Sequence, residues 1–168
     1  MAESAKLAES VGAVGLNWPV KASFVRYVLG MHDGVQAVTE GATADADFVF
    51  SFPVRDTSGF DPATGFGLLH FTGAVRFGGH GGMLYVMIAD PIVEITAAGA
   101  LLSAKIDNDG ERVNIVTLTQ IKAFAPHITT TPLVIDAATA LTAEGASLFI
   151  GQYPVGTAFD ELNITLSS

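Results

Sequence analysis

The chain has 168 residues, 49% of them hydrophobic and 15% charged, which is ample apolar material for the core of one domain and argues against disorder. Seventeen acidic residues outweigh eight basic ones for a net charge of −9, and the scattered basic residues form no stripe, which excludes nucleic acid as a partner and disfavours anionic membrane. The absence of cysteine rules out disulfides, thiolate metal sites and a thiol nucleophile, and no apolar stretch reaches transmembrane length, so no membrane insertion is expected.

Residues 1–10, MAESAKLAES, read as a flexible lead-in to a single domain over residues 1–168. Beyond them the dominant pattern is alternation with period two, cut by 18 glycines and 7 prolines into short β-branched and aromatic runs. Strands are predicted over Val11–Asn17, Asp47–Arg55, Phe66–Phe77, Met83–Ile95, Ala100–Asp107 and Arg112–Gln120. Within Phe66–Phe77, Leu69, Phe71, Val75 and Phe77 share one face, while Leu68, His70, Thr72 and Arg76 share the other. Two stretches switch to helical spacing. Trp18–Gly30 places Val20, Phe24, Val25, Val28 and Leu29 on helical intervals, which predicts a short helix starting near Lys21 and stopping at Gly30. Asp136–Phe149 is alanine-rich, with Leu141, Gly145 and Leu148 in a helical stripe, and is predicted as the second helix. The turn DNDGE, 107–111, lacks the distal acidic ligand of a calcium loop and reads as a hairpin turn. The expected fold is mainly β, an antiparallel β-sandwich-like domain with two short helices.

Hydrolytic chemistry finds little support. No G-x-S-x-G elbow is present, and His32, His70, His80 and His127 lack the spacing of a zinc site. Three other residues attract attention. Ser23 and Tyr27 are four apart on the first helix and project from one face. His80 stands between two glycine pairs in RFGGHGGMLY, 76–85. Taken singly, Tyr27 is an amphipathic core residue and His80 a turn residue. Taken together, they suggest a phenolate, a hard oxygen ligand suited to ferric iron and one of the side chains that hold haem. A free phenol titrates near about 10, so such a ligand needs the metal and a neighbouring hydrogen-bond donor, a part a histidine can play. Ser23 could donate to a propionate, and the glycines would let the loop approach a flat group.

Three segments, LNWPVKASFVRYV (16–28), FTGAVRFGGHGGMLYVMIADPIVEI (71–95) and LFIGQYPVGTAFDEL (148–162), resemble the HtaA conserved-region domain of actinobacterial haem uptake, in the family's order. The resemblance implies a β-rich domain that binds one ferric haem b and passes it on as a carrier, without being an enzyme. In it Tyr27 matches the axial tyrosine, His80 the histidine that hydrogen-bonds it, Ser23 a propionate contact and Tyr153 a late tyrosine beside the haem. Phe24 and Val28 fall near that face as packing residues, and Lys21 and Arg26 are further candidates for the propionates. Implied partners are other haem-uptake proteins of the cell envelope or host haemoproteins, with a homodimer as a further option, at a secreted or cell-surface location. The chain departs from the family at Pro19, where glycine is common, and in GHGG, where GHDG is common, a loss that predicts a less firmly oriented His80. His32, His70 and His127 match nothing, and Trp18 and Tyr85 are expected to pack, Trp18 as a core anchor at the helix entry. The competing readings are a haem-free cell-surface β-domain that binds carbohydrate or protein, and a haem enzyme such as a peroxidase.

Overall fold

The computed structural model describes residues 14–124 and 133–166, so the lead-in, the first residues of the Val11–Asn17 strand and His127 lie outside the described residues. The strands run in chain order as β1 (Gly15–Trp18), β2 (Val35–Thr39), β3 (Thr43–Ala44), β4 (Phe50–Phe52), β5 (Val54–Asp56), β6 (Phe60–Asp61), β7 (Phe66–Phe71), β8 (Ala74–Gly79), β9 (Leu84–Thr96), β10 (Gly99–Lys105), β11 (Arg112–Phe124), β12 (Leu133–Leu141) and β13 (Ala158–Leu166). Helix α1 (Ala22–Gly30) follows β1, and α2 (Ala143–Leu148) lies between β12 and β13. All the strand pairs are antiparallel, in the order β2-β8-β9-β10-β11-β12-β13-β1-β4-β3. The end strands β2 and β3 are joined directly through Glu40–Ala42, so the sheet nearly closes on itself, in keeping with the expected mainly β fold. Inside it lie Trp18, Phe24, Phe50, Phe52, Phe71, Phe77 and Phe149, all fully buried. Alternation of apolar residues along the long strands supplies most of this core, because successive side chains point to opposite faces, and Phe24 and Phe149 are added from the helical segments.

Several predicted boundaries change for identifiable reasons. Phe66–Phe77 is two strands, broken at Gly73, whose φ of +120° and contact with Ala42, 2.6 Å from where a Cβ would sit, turn the chain. The four inward residues predicted there, Leu69, Phe71, Val75 and Phe77, are all buried. Asp47–Arg55 divides at Pro53, which has no N–H to give to a ladder. Residues 107–111 form the β10–β11 turn, where Asp107 Oδ1 accepts from Glu111 N at 3.0 Å.

The predicted helix Asp136–Phe149 is corrected: its first six residues belong to β12. Ile135, Ala137, Thr139 and Leu141 alternate into the core between β11 and β13, and the two ladders outweigh alanine's weak helical preference. Helix begins only after Thr142, whose side chain caps it by accepting from Gly145 N at 2.9 Å. Gly145 serves packing, since a Cβ there would lie 2.2 Å from the Ile115 carbonyl oxygen. Strands β2 and β13 were not anticipated. In β13 a register shift opposite Ala137–Thr139 puts Phe159 and Leu162, three residues apart, on the inward side, so strict alternation is lost.

Candidate functional site

Helix α1 is positioned by β13. The residue at its N-cap position, Lys21, offers no capping side chain, and the acceptor comes from Asp160, whose Oδ2 takes the Ala22 N–H at 3.0 Å. Asp160 N donates to the Val20 carbonyl at 3.0 Å, and the Asp160 carbonyl accepts from Trp18 Nε1 and from Thr139 Oγ1, both at 2.8 Å. These bonds hold Val20 at a φ of +63°, a conformation a β-branched residue rarely adopts, and so set the angle at which the helix leaves β1. Trp18 is the buried anchor expected at the helix entry.

Phe24, Val25 and Val28 form the buried side of α1. Phe24 packs edge-to-face on Phe77, with ring centroids 5.3 Å apart, and on Phe149 at 5.0 Å. Phe24 and Val28 are fully buried, so they support the helix from beneath and line no open surface. The opposite side presents Ser23, Arg26 and Tyr27, with Tyr27 42% exposed. Ser23 and Arg26 have no hydrogen-bond or ion-pair partner among the described residues.

Fifty-three positions along the chain, His80 meets Tyr27: the phenol oxygen lies 2.5 Å from His80 Nε2 and the ring centroids are 5.7 Å apart. His80 opens a single 3-10 turn, His80–Gly82, at the tip of the β8–β9 hairpin and is itself left-handed, with φ +53°. The glycines on its two sides serve different ends. A Cβ on Gly78 would press Val35 at 3.2 Å and one on Gly79 would press Met31 at 2.9 Å, so this pair permits close packing. Gly81 and Gly82 face open space and supply left-handed backbone at φ +64° and +94°.

Orientation of the turn comes from a residue the sequence reading passed over. Asp33, just beyond the end of α1, accepts from Gly81 N through Oδ2 at 2.7 Å and from His80 N through Oδ1 at 3.2 Å. The Gly81 hydrogen bond, opposed by some desolvation and aided by that from His80, holds the Asp33 carboxyl below the usual carboxylate range. An acidic group absent from GHGG is thus present at the turn from another segment, bonded to its backbone. The available signal was the Asp-Gly pair following the helix stop, which alone reads only as a turn.

Tyr153 is half-buried beside α1, with its ring edge-on to Phe24, Phe149 and Phe159 at 6.4, 6.1 and 5.7 Å. Burial first, and the nearby Tyr27 second, push its phenol above the ordinary tyrosine value, so it stays neutral. Lys21 Nζ sits 5.6 Å over the Tyr153 ring and donates to the Ala158 carbonyl at 3.4 Å. Apolar side chains are exposed close by in sequence: Met83 (80%) on the His80 side, and Ile150 and Val155 on the loop that carries Tyr153. Tyr85, half exposed, shares a register row with Gly78 and Val35 and packs its hydroxyl on Met87 Sδ, a rim position as expected.

The remaining features stand apart from this site. His32 lies on the loop that carries Asp33, and His70 pairs with Asp56 and Ile92 within the sheet. Asp90, of the D-P pair, is bound by Lys105 at 3.1 Å at the other end of β8–β9. An open groove lined by Glu94, Thr96, Leu101 and Thr119 lies at the β9–β10 turn and includes none of the expected site residues.

Comparison with known proteins agrees with this fold. The Htaa family model matches residues 13–165. Among solved structures, the C-terminal domain of HtaA from Corynebacterium glutamicum is 27% identical, with 89% of this chain and 94% of that one covered and a TM-score of 0.67. The N-terminal domain of HtaA from the same organism is 25% identical over 91% and 96% of the two chains, with a TM-score of 0.69. The heme binding protein HtaB of C. glutamicum is 20% identical over 90% and 91%, with a TM-score of 0.65, a likeness that speaks for the fold. No curated protein matches the chain.

Proposed function

The chain belongs to the Htaa family, and from that membership together with the Tyr27–His80 contact we propose that it binds ferric haem b, with the Tyr27 phenolate as the axial ligand and His80 as its hydrogen-bond partner. The observation that carries this reading is the 2.5 Å approach of two exposed, titratable side chains from separate elements. Exposed polar groups ordinarily turn to water, so such a pair on open surface calls for a use. The donor set fits the group: a hard oxygen for a ferric centre, bare glycines at the tip of the turn, and exposed Met83, Ile150 and Val155 for an apolar ring. When bound, haem supplies the ferric centre that takes the anionic oxygen.

The chain's own residues divide the task. With His80 in its Nδ1–H tautomer, the Tyr27 hydroxyl donates to His80 Nε2 and can pass its proton there. Once that proton has moved, His80 Nε2–H donates back to the phenolate oxygen and stabilises its charge. Ser23, one turn earlier and without a partner among the described residues, offers its hydroxyl to a propionate, and Lys21 and Arg26 add positive charge to an otherwise acidic molecule. Tyr153, kept neutral, contributes a ring and a hydroxyl at the edge of the face. A single protein ligand on an open surface favours exchange, so the chain acts as a carrier between haem-uptake proteins or from host haemoproteins, at a secreted or cell-surface location, and not as an enzyme.

Titration of the apoprotein with hemin tests this. The wild-type chain is expected to give a tyrosinate-type ferric spectrum that Tyr27→Ala abolishes. His80→Ala should alter the spectrum and weaken binding by about 10–100-fold. Both side chains are exposed, so each variant should keep its stability within about 0.5 kcal/mol, which separates lost ligation from lost fold. Unchanged hemin binding by Tyr27→Ala would sink the ligand assignment, and peroxide turnover beyond that of free hemin would sink the carrier role.

A further inference from the structure

The Tyr27–His80 pair spans two elements, and the segment between them in space is Met31–Gly34, where the chain leaves α1 and turns into β2. That segment is docked tightly on both sides. A Cβ on Gly34 would fall 1.7 Å from the Val28 carbonyl oxygen, and one on Gly79 would fall 2.9 Å from Met31 Sδ and 3.7 Å from Asp33 Oδ1. The loop thus packs closely against the end of the helix and the end of β8.

From it Asp33 reaches the His80 turn. Successive residues His80 and Gly81 are both left-handed, and their N–H groups converge on the Asp33 carboxylate, Gly81 N on Oδ2 at 2.7 Å and His80 N on Oδ1 at 3.2 Å. Outside, the turn has little else to hold it: Gly81 and Gly82 would bring a Cβ into open space, and Met83 N to His80 O at 3.1 Å is its one internal bond among the described residues. A histidine in left-handed backbone, followed by two glycines that face open space, needs a constraint on its backbone to keep one orientation.

We propose that Asp33 is the positioning residue of the site: by gripping the backbone of the turn it aims His80 Nε2 at the Tyr27 hydroxyl before any ligand arrives. This rests on the reading of the site as a haem face, which it deepens. Helix α1 then carries Tyr27 and leads, six positions on, into the clamp that aims Tyr27's partner, so the helix and the turn are registered to each other as one unit. Among the described residues the Asp33 carboxylate hydrogen-bonds the backbone of His80 and Gly81 and neither the phenol nor the imidazole, which feels only its charge.

The test uses the whole chain, first without and then with hemin. In the apoprotein, magnetisation transfer between the Tyr27 and His80 rings and slow exchange of the His80 and Gly81 amides are expected in the wild type and lost in Asp33→Ala. Asp33→Asn keeps one acceptor oxygen and should fall between them. In the hemin-loaded chain, Asp33→Ala should release hemin on the order of tenfold faster and shift the spectrum toward that of His80→Ala. The double variant should release it no faster than His80→Ala alone. Persistent ring contact in Asp33→Ala, or an effect that adds in full to that of His80→Ala, would overturn the proposal. A wild-type chain that takes up no hemin would remove the haem reading, while the apoprotein ring contact would still decide the role of Asp33.

Discussion

At the His80 end of the β8–β9 hairpin a left-handed residue, φ +53°, is held by a carboxylate from elsewhere. At the other end, where Ala74 pairs with Ala89, Asp90 is left-handed at φ +46° and is itself the carboxylate. Asp90 is saturated: its Oδ1 accepts from Gly73 N and Thr72 Oγ1, its Oδ2 from Lys105, its carbonyl from Arg112, and its N–H donates to Gly73 O. Among the described residues the Tyr27 and His80 side chains have only each other as hydrogen-bond partners, and Ser23 on the same helix face has none. Backbone strain and a carboxylate clamp therefore belong to the architecture at both ends. Unspent bonding capacity on exposed side chains is what distinguishes the His80 end and makes it the candidate site.

Three measurements sharpen that contrast. The largest effect is expected for Asp90→Ala, which should lower stability by about 2 kcal/mol. Most of this would come from leaving the Gly73 N–H and the Thr72 hydroxyl without their acceptor; the part-exposed Lys105 pair adds less than about 1 kcal/mol. Chemical denaturation measures it, and hemin binding should not change; a loss of binding here would dissolve the distinction between the two ends. Gly81→Ala should cost about 1 kcal/mol, since the left-handed backbone is strained by any Cβ although space for one is open. A cost near zero would show that the turn relaxes to another conformation.

The smallest effect is in acid. Burial pushes the Asp90 carboxyl up, but its bonds to Lys105 and Gly73 more than offset this and leave it below the ordinary carboxylate value. The unfolded chain therefore takes up the proton first as pH falls. Asp90 contributes stability that is fully present above about pH 4 and is lost as pH drops through its depressed folded value. Asp33, held low by Gly81 N–H, follows the same sign. Stability curves against pH below about 4 should flatten in Asp90→Asn; an unchanged slope would show that other carboxylates carry the acid limb.

How much of this could be read from residues alone depends on the range of the forces involved. Helix α1 ends at Gly30 as predicted, and the strands from Leu84 to Phe124 fall close to their predicted spans, because alternation, helical spacing and turn glycines act within a few residues. The stretch from Asp136 to Leu141 misled, since its alanines satisfy a helix locally and only the flanking strands β11 and β13 make it a strand. Tyr27, His80 and Ser23 were legible as residue types that suit one chemistry and, more firmly, as positions in a family pattern.

By itself, then, the sequence determined the β-rich class, the helix that presents Ser23 and Tyr27 on one face, and the bare turn that presents His80, all through short-range periodicity and the steric freedom of glycine. Tertiary structure alone decided that Tyr27 and His80 meet, that Asp33 clamps the turn and Asp160 caps the helix, and that Phe24 and Val28 lie beneath the site. The reason is geometric. Each of those bonds joins segments whose separation is set by the register of a nearly closed sheet, and register follows from the pairing of all its strands together and not from any one of them.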